Sequence, residues 1–176
     1  MGKAFLAFGL IFSLFYATLK LPKNEKGEVY GMIYTDQTRK AMTLCYEAHK
    51  DAFDKSGVPY VFHPFHLAEQ MQDELSTVVA LLHDVVEDTH HTFDSLREAG
   101  FGDDVLRPLA LLTRSAETET EEDYLAYVAR IREDPVARAV KIADLTHNAD
   151  LTRLPTVTDK DRSRAAKYQK ALMLLK

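Results

Sequence analysis

Beyond residue 31 the apolar positions recur at intervals of three and four nearly throughout, the period of helices that bury one face, and the pattern predicts an all-α domain. Thr35 or Asp36 can cap a first helix in which Ala41, Cys45, Ala48 and Ala52 form one stripe, ending before the turn "DKSGVPY". A second helix is expected just after His63, because Pro64 suits a first turn in which its missing N–H has no intrahelical partner. That places His63 at or beside the N-cap. A third helix should run from about Leu75 to Asp88, and Thr92 should cap a short fourth one stopped by Gly100. Asp104 opens the next, with Pro108 near its start. Thr118 and Glu121 have capping-box spacing before "DYLAYVARI", and Asp134-Pro135 leads into "VARAVKIADLTHNADLTRL". A last helix spans about Asp159 to Leu175. The one strand-like run, "VPYVF", is too short to seed a sheet. After residue 31 there is no internal repeat or low-complexity tract.

The first 31 residues follow a different pattern. Ala4 to Leu19 carry no charge and are flanked by Lys3 and then by Lys20, Lys23 and Lys26. As an N-terminal apolar helix this run would measure about 24 Å, short of a hydrocarbon core of about 30 Å. No A-x-A cleavage pattern follows it. Three readings stay open: a membrane anchor through residues 4–19, a helix docked on the domain, or a start codon placed ahead of Met32. If the run spans, the lysines after it favour a cytoplasmic catalytic domain. "LPKNEKGEVYG" is broken by Pro22, Gly27 and Gly31 and reads as a linker, so the expected division is 1–31 and 32–176.

The net charge of −5 over 176 residues argues against a nucleic-acid polymer as partner, since phosphate backbones are held by clustered Lys and Arg. Cys45, the single cysteine, allows no internal disulfide and falls on an apolar stripe, as a small core residue would.

Within "ALLHDVVEDTHHT", residues 80–92, an apolar helical run holds His83, Asp84, Glu87 and Asp88. Residues four apart share a helix face, which pairs His83 with Glu87 and Asp84 with Asp88, while Leu81, Leu82, Val85 and Val86 hold the opposite side in the core. Isolated charges facing inward are strongly disfavoured, and a bound cation removes the difficulty. The competing reading is a solvated helix face. His63 after the apolar "PYVF", and Asp144 interrupting the stripe of "VARAVKIADL", weigh against it. Two imidazoles and two carboxylates suit manganese, iron or zinc better than magnesium.

His63, His83-Asp84 and Asp144 match the H…HD…D pattern of HD-domain metal-dependent phosphohydrolases. More closely, "SGVPYVFHP", "ALLHDVVEDTHHT" and "VKIADLTHN" resemble the (p)ppGpp-hydrolase part of the RelA/SpoT family, above all the stand-alone small alarmone hydrolases, from about Met32 to the end. The resemblance implies a helical bundle around one ion, usually Mn²⁺, held by His63, His83, Asp84 and Asp144. It implies that Glu87 and Asp88 position or deprotonate the attacking water, and that Lys55 and Asn148 contact a nucleotide substrate. The reaction implied is release of the 3′-pyrophosphate of (p)ppGpp to leave GDP or GTP, without synthesis, because a synthesising domain has no room after residue 176. Two rival readings keep the fold: the same metal site on another nucleotide or phosphorylated metabolite, and a non-catalytic nucleotide-binding HD module.

The chain departs from the family in two places. Asp54-Lys55 stands where many alarmone hydrolases have Arg-Lys, and "LTHNADLTRL" replaces an Arg-Leu-His-Asn run followed by Met-Arg-Thr, with Thr152 or Arg153 as candidates to restore contacts. Base recognition is therefore open. His90 and His91 are expected to be solvated in a turn, and His49, His66 and His147 to be satisfied polar residues. Lys160, Arg162, Arg164 and Lys167 read as a solvated helix face.

Overall fold

Local capping chemistry sets most of the helix boundaries. In the computed structural model the described residues are 32–114 and 120–176, so the apolar run, the linker and Thr118 lie outside them. Thr35 caps α1 (Asp36–His49) through a reciprocal box with Thr38. A turn with Gly57 at φ +78° precedes α2 (Phe62–Ala68). Asp73 caps α3 (Glu74–Leu82), which α4 (Val85–Asp88) follows after a break. Thr92 caps α5 (Phe93–Glu98), and Gly100, at φ +86°, stops it in the left-handed backbone region that glycine tolerates. Then come α6 (Asp103–Leu112), α7 (Glu121–Ile131) and α8 (Pro135–Ala149), the last opened by Asp134 with Pro135 in its first turn. A 3₁₀ turn, Leu151–Arg153, joins α8 to α9 (Asp159–Leu175), capped by Thr158. The architecture is all-α. Among the described residues the one β-type pairing is an isolated bridge between Phe53 and Pro59.

Beyond its first turn the helix α3 is buried on every side, from Ser76 to Leu82. It packs against α1, α2, α6 and α8, while α9 lies along α7 and α8. The core gathers around this axis, with Leu81, Leu82, Val85, Leu109 and Leu145 almost wholly excluded from solvent. Cys45 belongs to that core, where burial and then Asp84 push its thiol up to about 12, as expected of a packing residue. None of the described helices is long and apolar enough to cross a membrane.

Several boundaries differ from expectation. Helix α2 begins at Phe62, with His63 in its first turn and not at the cap. The reason is a turn that already satisfies the first donors: Phe62 N–H reaches the Pro59 carbonyl at 3.2 Å and His63 N–H the Tyr60 carbonyl at 2.9 Å. The His63 imidazole is thereby free to face inward. The expected single helix over 75–88 breaks at His83 and Asp84, where Asp84 has φ −98° and ψ −4°. Asp88 N–H still bonds the Asp84 carbonyl at 2.9 Å, so this pair keeps its one-turn relation. Helix α6 starts at Asp103, one residue early, which puts Pro108 in its second turn. The cap of α7 is Thr120, boxed with Asp123. The expected long helix after Asp134 ends at Ala149, because the Asp150 carboxylate caps the following 3₁₀ turn at Thr152 N–H, 2.9 Å away.

Leu81 fills the centre of this packing and is fully buried. Leu81→Ala should destabilise the domain by about 3 kcal/mol, through lost transfer energy and a residual cavity. Urea unfolding monitored by circular dichroism checks this, with a lowered midpoint and an unchanged slope as the expected result.

Candidate active site

Four elements bring the titratable groups to one point. His63 comes from the first turn of α2, His83 and Asp84 from the break between α3 and α4, and Asp144 from the buried face of α8. One ligand atom from each of His63, His83 and Asp144 lies within 4.8 Å of the others, and all three residues are buried. Asp84 closes the group: its Oδ2 is 2.9 Å from His83 Nε2 and 3.7 Å from His63 Nε2. His63 Nε2 is 3.4 Å from an Asp144 oxygen.

The surrounding hydrogen bonds fix how these groups present themselves. His83 Nδ1 lies 2.8 Å from the Ala80 carbonyl, which can only accept, so Nδ1 carries a proton and Nε2 is the atom left to meet a proton or an ion. That Nε2 is buried and has no hydrogen-bond partner. It faces the Asp84 carboxylate, another electron-pair donor, across 2.9 Å. Two such atoms in contact require a positive centre between or beside them, and an imidazole–carboxylate set of this kind fits a first-row divalent cation. His63 Nδ1 lies 2.7 Å from His147 Nδ1 with the rings stacked. Burial, then His63 and Arg153, push His147 down to about 4, so it is neutral; with His63 Nδ1 as the donor of their shared hydrogen bond, His63 Nε2 is the atom left to ligate.

The carboxylates are held as anions. Burial works against charge on Asp144, but Lys141, whose Nζ is 2.8 Å from Oδ2, leads the opposing effects and holds the group well below its usual range. Asn148 donates to the other Asp144 oxygen at 2.5 Å. Asp84 accepts from the Tyr60 hydroxyl at 2.5 Å, and although burial opposes its charge, His83 holds it at about 2. Burial tends to lower His83, and Asp84 outweighs this to raise it to about 9, so a proton on Nε2 takes the positive place beside Asp84 unless a cation does.

Glu87 and Asp88 have unlike surroundings. Glu87 accepts from the Arg114 backbone N–H at 3.0 Å and from its Nε at 2.8 Å, and its Oε1 also pairs with the Arg114 Nη2. The Asp88 carboxylate makes no side-chain hydrogen bond among the described residues. Partial desolvation, then Asp84 and Glu87, raise it to about 6. Both line an inner pocket of about 120 Å³ together with Asp84, Lys141, Asp144 and Asn148.

An outer cleft of about 360 Å³ adjoins this pocket, and Tyr60, Asn148 and Tyr168 line both. Lys55, Arg153 and Arg164 supply its positive charge. Arg164 therefore belongs to the cleft wall, not to a solvated face, and Lys167 is half-buried with its Nζ 4.4 Å from the Tyr124 ring centroid. Lys160 and Arg162 are exposed, as expected. Asp54 is engaged throughout: Oδ1 accepts from Ser56 and Val58 N–H at 2.8 and 3.0 Å, and Oδ2 takes Arg153 at 3.1 Å. Of the two candidates for restoring contacts, Arg153 faces the cleft, while Thr152 is exposed and bonds Asp150.

Sequence reasoning missed Lys141, His147 and Arg114. Lys141 and Asn148 stand three before and four after Asp144, a spacing that signals one shared face. His147 carried only its place beside Asn148, and Arg114 carried no local signal.

No protein-family profile matches the chain. It is 34% identical over 133 residues to a protein of Mycobacterium leprae named probable GTP pyrophosphokinase, covering 69% of this chain and 16% of that one. It is 29% identical over 123 residues to the guanosine-3′,5′-bis(diphosphate) 3′-pyrophosphohydrolase of Aquifex aeolicus, covering 65% and 18%. With the bifunctional (p)ppGpp synthase/hydrolase SpoT of Escherichia coli it shares 31% over 121 residues, covering 62% and 17%. The chain thus spans under a fifth of the length of these relatives. A solved structure, described as a metazoan ortholog of SpoT that hydrolyzes ppGpp, superposes with a TM-score of 0.65 at 23% identity, over 82% of this chain and 94% of that one. By sequence and fold together, the chain is an HD-domain protein of RelA/SpoT hydrolase-like kind.

Proposed function

We propose that this domain hydrolyses the 3′-pyrophosphate of (p)ppGpp, using a divalent cation, Mn²⁺ by preference, held by His63, His83, Asp84 and Asp144. The observation that carries the reading is the joining of two chemistries: a buried imidazole–carboxylate cluster opens into a cleft walled by Lys55, Arg153 and Arg164. The first suits a metal, and the second a substrate with several phosphates. When bound, the cation lowers the pKa of a water and polarises a phosphoryl oxygen.

The protein's own groups divide the remaining work. Water breaks the bond between the ribose 3′ oxygen and phosphorus; pyrophosphate leaves with the water's oxygen, and the 3′ oxygen leaves with a proton. Asp88 is the base that takes the water's proton, because its carboxylate is free of hydrogen bonds among the described residues and lines the inner pocket. Glu87 is a positioning residue. Its oxygens are occupied by Arg114, and the pair fixes a guanidinium at the pocket wall, where phosphoryl charge can be neutralised. Asn148 spans the boundary, orienting Asp144 with one amide hydrogen and offering its remaining polar groups to substrate. Lys141 stays on Asp144 and balances its charge.

His83→Ala should lose bound metal while keeping the helical circular-dichroism spectrum. Metal analysis after gel filtration in Mn²⁺ reads the outcome, and full metal content would remove His83 from the ligand set. Asp88→Asn should retain metal and lower kcat by about 10²- to 10⁴-fold, the contribution of a general base. Steady-state kinetics on ppGpp with metal content measured in parallel checks this, and unchanged turnover would reject the assignment. For the positioning pair, Glu87→Gln and Arg114→Met should each slow turnover, and the double variant should cost less than the two effects combined. Additive losses in that cycle would mean that the two side chains act independently.

A further inference from the structure

The outer cleft contains a feature that phosphate chemistry does not use. Phe53 lines it and is 65% exposed, a large aromatic ring left in water beside Lys55. Its backbone position is fixed: Phe53 pairs with Pro59 in the isolated bridge, and the flanking Ala52 carbonyl accepts from Tyr60 N–H at 2.8 Å. The next residue, Asp54, is committed to Ser56, Val58 and Arg153 and cannot turn to a ligand without breaking the loop.

Direction along the cleft follows from which residues are shared. Tyr60, Asn148 and Tyr168 also line the inner pocket, so they mark the end that receives the reacting phosphate. Phe53, Lys55, Leu154 and Arg164 line the outer cleft but not the inner pocket. Lys55 and Arg164 suit the second phosphate group of a substrate, and Phe53 and Leu154 supply the apolar surface at that outer end. A nucleotide with its 3′ end at the metal cluster has its base as the one large flat apolar part still to be placed.

We propose that Phe53 is the platform on which the base of the substrate stacks. The assignment rests on the hydrolase reading above and adds to it a residue that determines affinity for the nucleoside part. Base–aromatic stacking contributes on the scale of a tenfold change in affinity or more, and its edge-blind character explains how the base is held although Asp54 is occupied.

The test compares guanosine 3′,5′-bis(diphosphate) with an abasic ribose 3,5-bis(diphosphate) on the full chain in Mn²⁺. Phe53→Ala should raise KM for the nucleotide by about tenfold and leave KM for the abasic compound unchanged. Phe53→Tyr should retain the original KM, and Phe53→Leu, which keeps apolar bulk without a flat ring face, should behave as the alanine variant does. Equal KM changes for both compounds, or a nucleotide KM within about twofold of the original, would overturn the platform. If the unaltered chain turns over neither compound, the hydrolase reading falls and calorimetric titration of the nucleotide decides the platform separately. About tenfold weaker binding to Phe53→Ala would then support it, and equal binding or none to either protein would overturn it.

Discussion

Electron-pair donors aimed at one buried point repel one another, and much of this domain is arranged to hold them there. His83 Nε2 and Asp84 Oδ2 stand 2.9 Å apart with Asp144 and His63 close by, in an interior where charge without a partner is costly. Each is braced from behind by a group that leaves its inward lone pair free. The Ala80 carbonyl accepts from His83 Nδ1, the His147 ring shares a hydrogen bond with His63 Nδ1, and Tyr60 and Lys141 donate to Asp84 and Asp144. Such outer partners set tautomer, orientation and charge as firmly as the ligands themselves. The break between α3 and α4 belongs to the same arrangement, because it places His83 and Asp84 side by side, which neighbours on an uninterrupted helix, about 100° apart, do less readily.

The residues of the buried cluster were legible in the sequence because buried charge in an apolar stripe is anomalous. Asp144 in "KIADL" and His83-Asp84 after "ALL" break patterns that are otherwise consistent, and only a shared purpose reconciles the breaks. The all-α architecture was legible for the complementary reason that its period is regular. What could not be read depends on distance along the chain. Arg114 meets Glu87 across 27 positions, and His147 meets His63 across 84, so neither contact leaves a local trace. His63 was misplaced at a helix cap for a related reason: backbone carbonyls of Pro59 and Tyr60 do the capping, and carbonyls look alike in every sequence.

The Arg164 error has a different cause. Counting charges along α9 suggests a solvated stripe, since Lys160, Arg162, Arg164 and Lys167 are close in sequence. A helix distributes them around its circumference, about 100° per residue, so residues two apart face nearly opposite ways. Arg162 faces water while Arg164 reaches the cleft and bonds Asp161 at 3.0 Å, and Lys167 covers Tyr124 with its stem and ammonium. A basic run read as composition conceals this division; read as a helix, it assigns two of the four charges to the interior side.

The C-terminal end of α8 ties the buried imidazole–carboxylate cluster to the wall of the cleft. Within one stretch, Asp144 belongs to the buried cluster, His147 lies against His63, Asn148 spans both pockets, and Arg153 holds the loop that carries Phe53 and Lys55. Arg153 does so from three sides: its guanidinium reaches the His147 carbonyl at 3.0 Å and Asp54 at 3.1 Å, and its own carbonyl accepts from Ser56 Oγ at 3.0 Å. The distance between the buried cluster and the outer wall of the cleft is therefore set by one continuous hydrogen-bonded segment and not by two independently placed walls. The contacts run unbroken from the Asp54 loop through Arg153 to the His147 carbonyl, and from the His147 ring to that of His63. The Asp54 that departs from the family pattern is thus accounted for in this chain: its carboxylate secures the loop on which the neighbouring Phe53 stands.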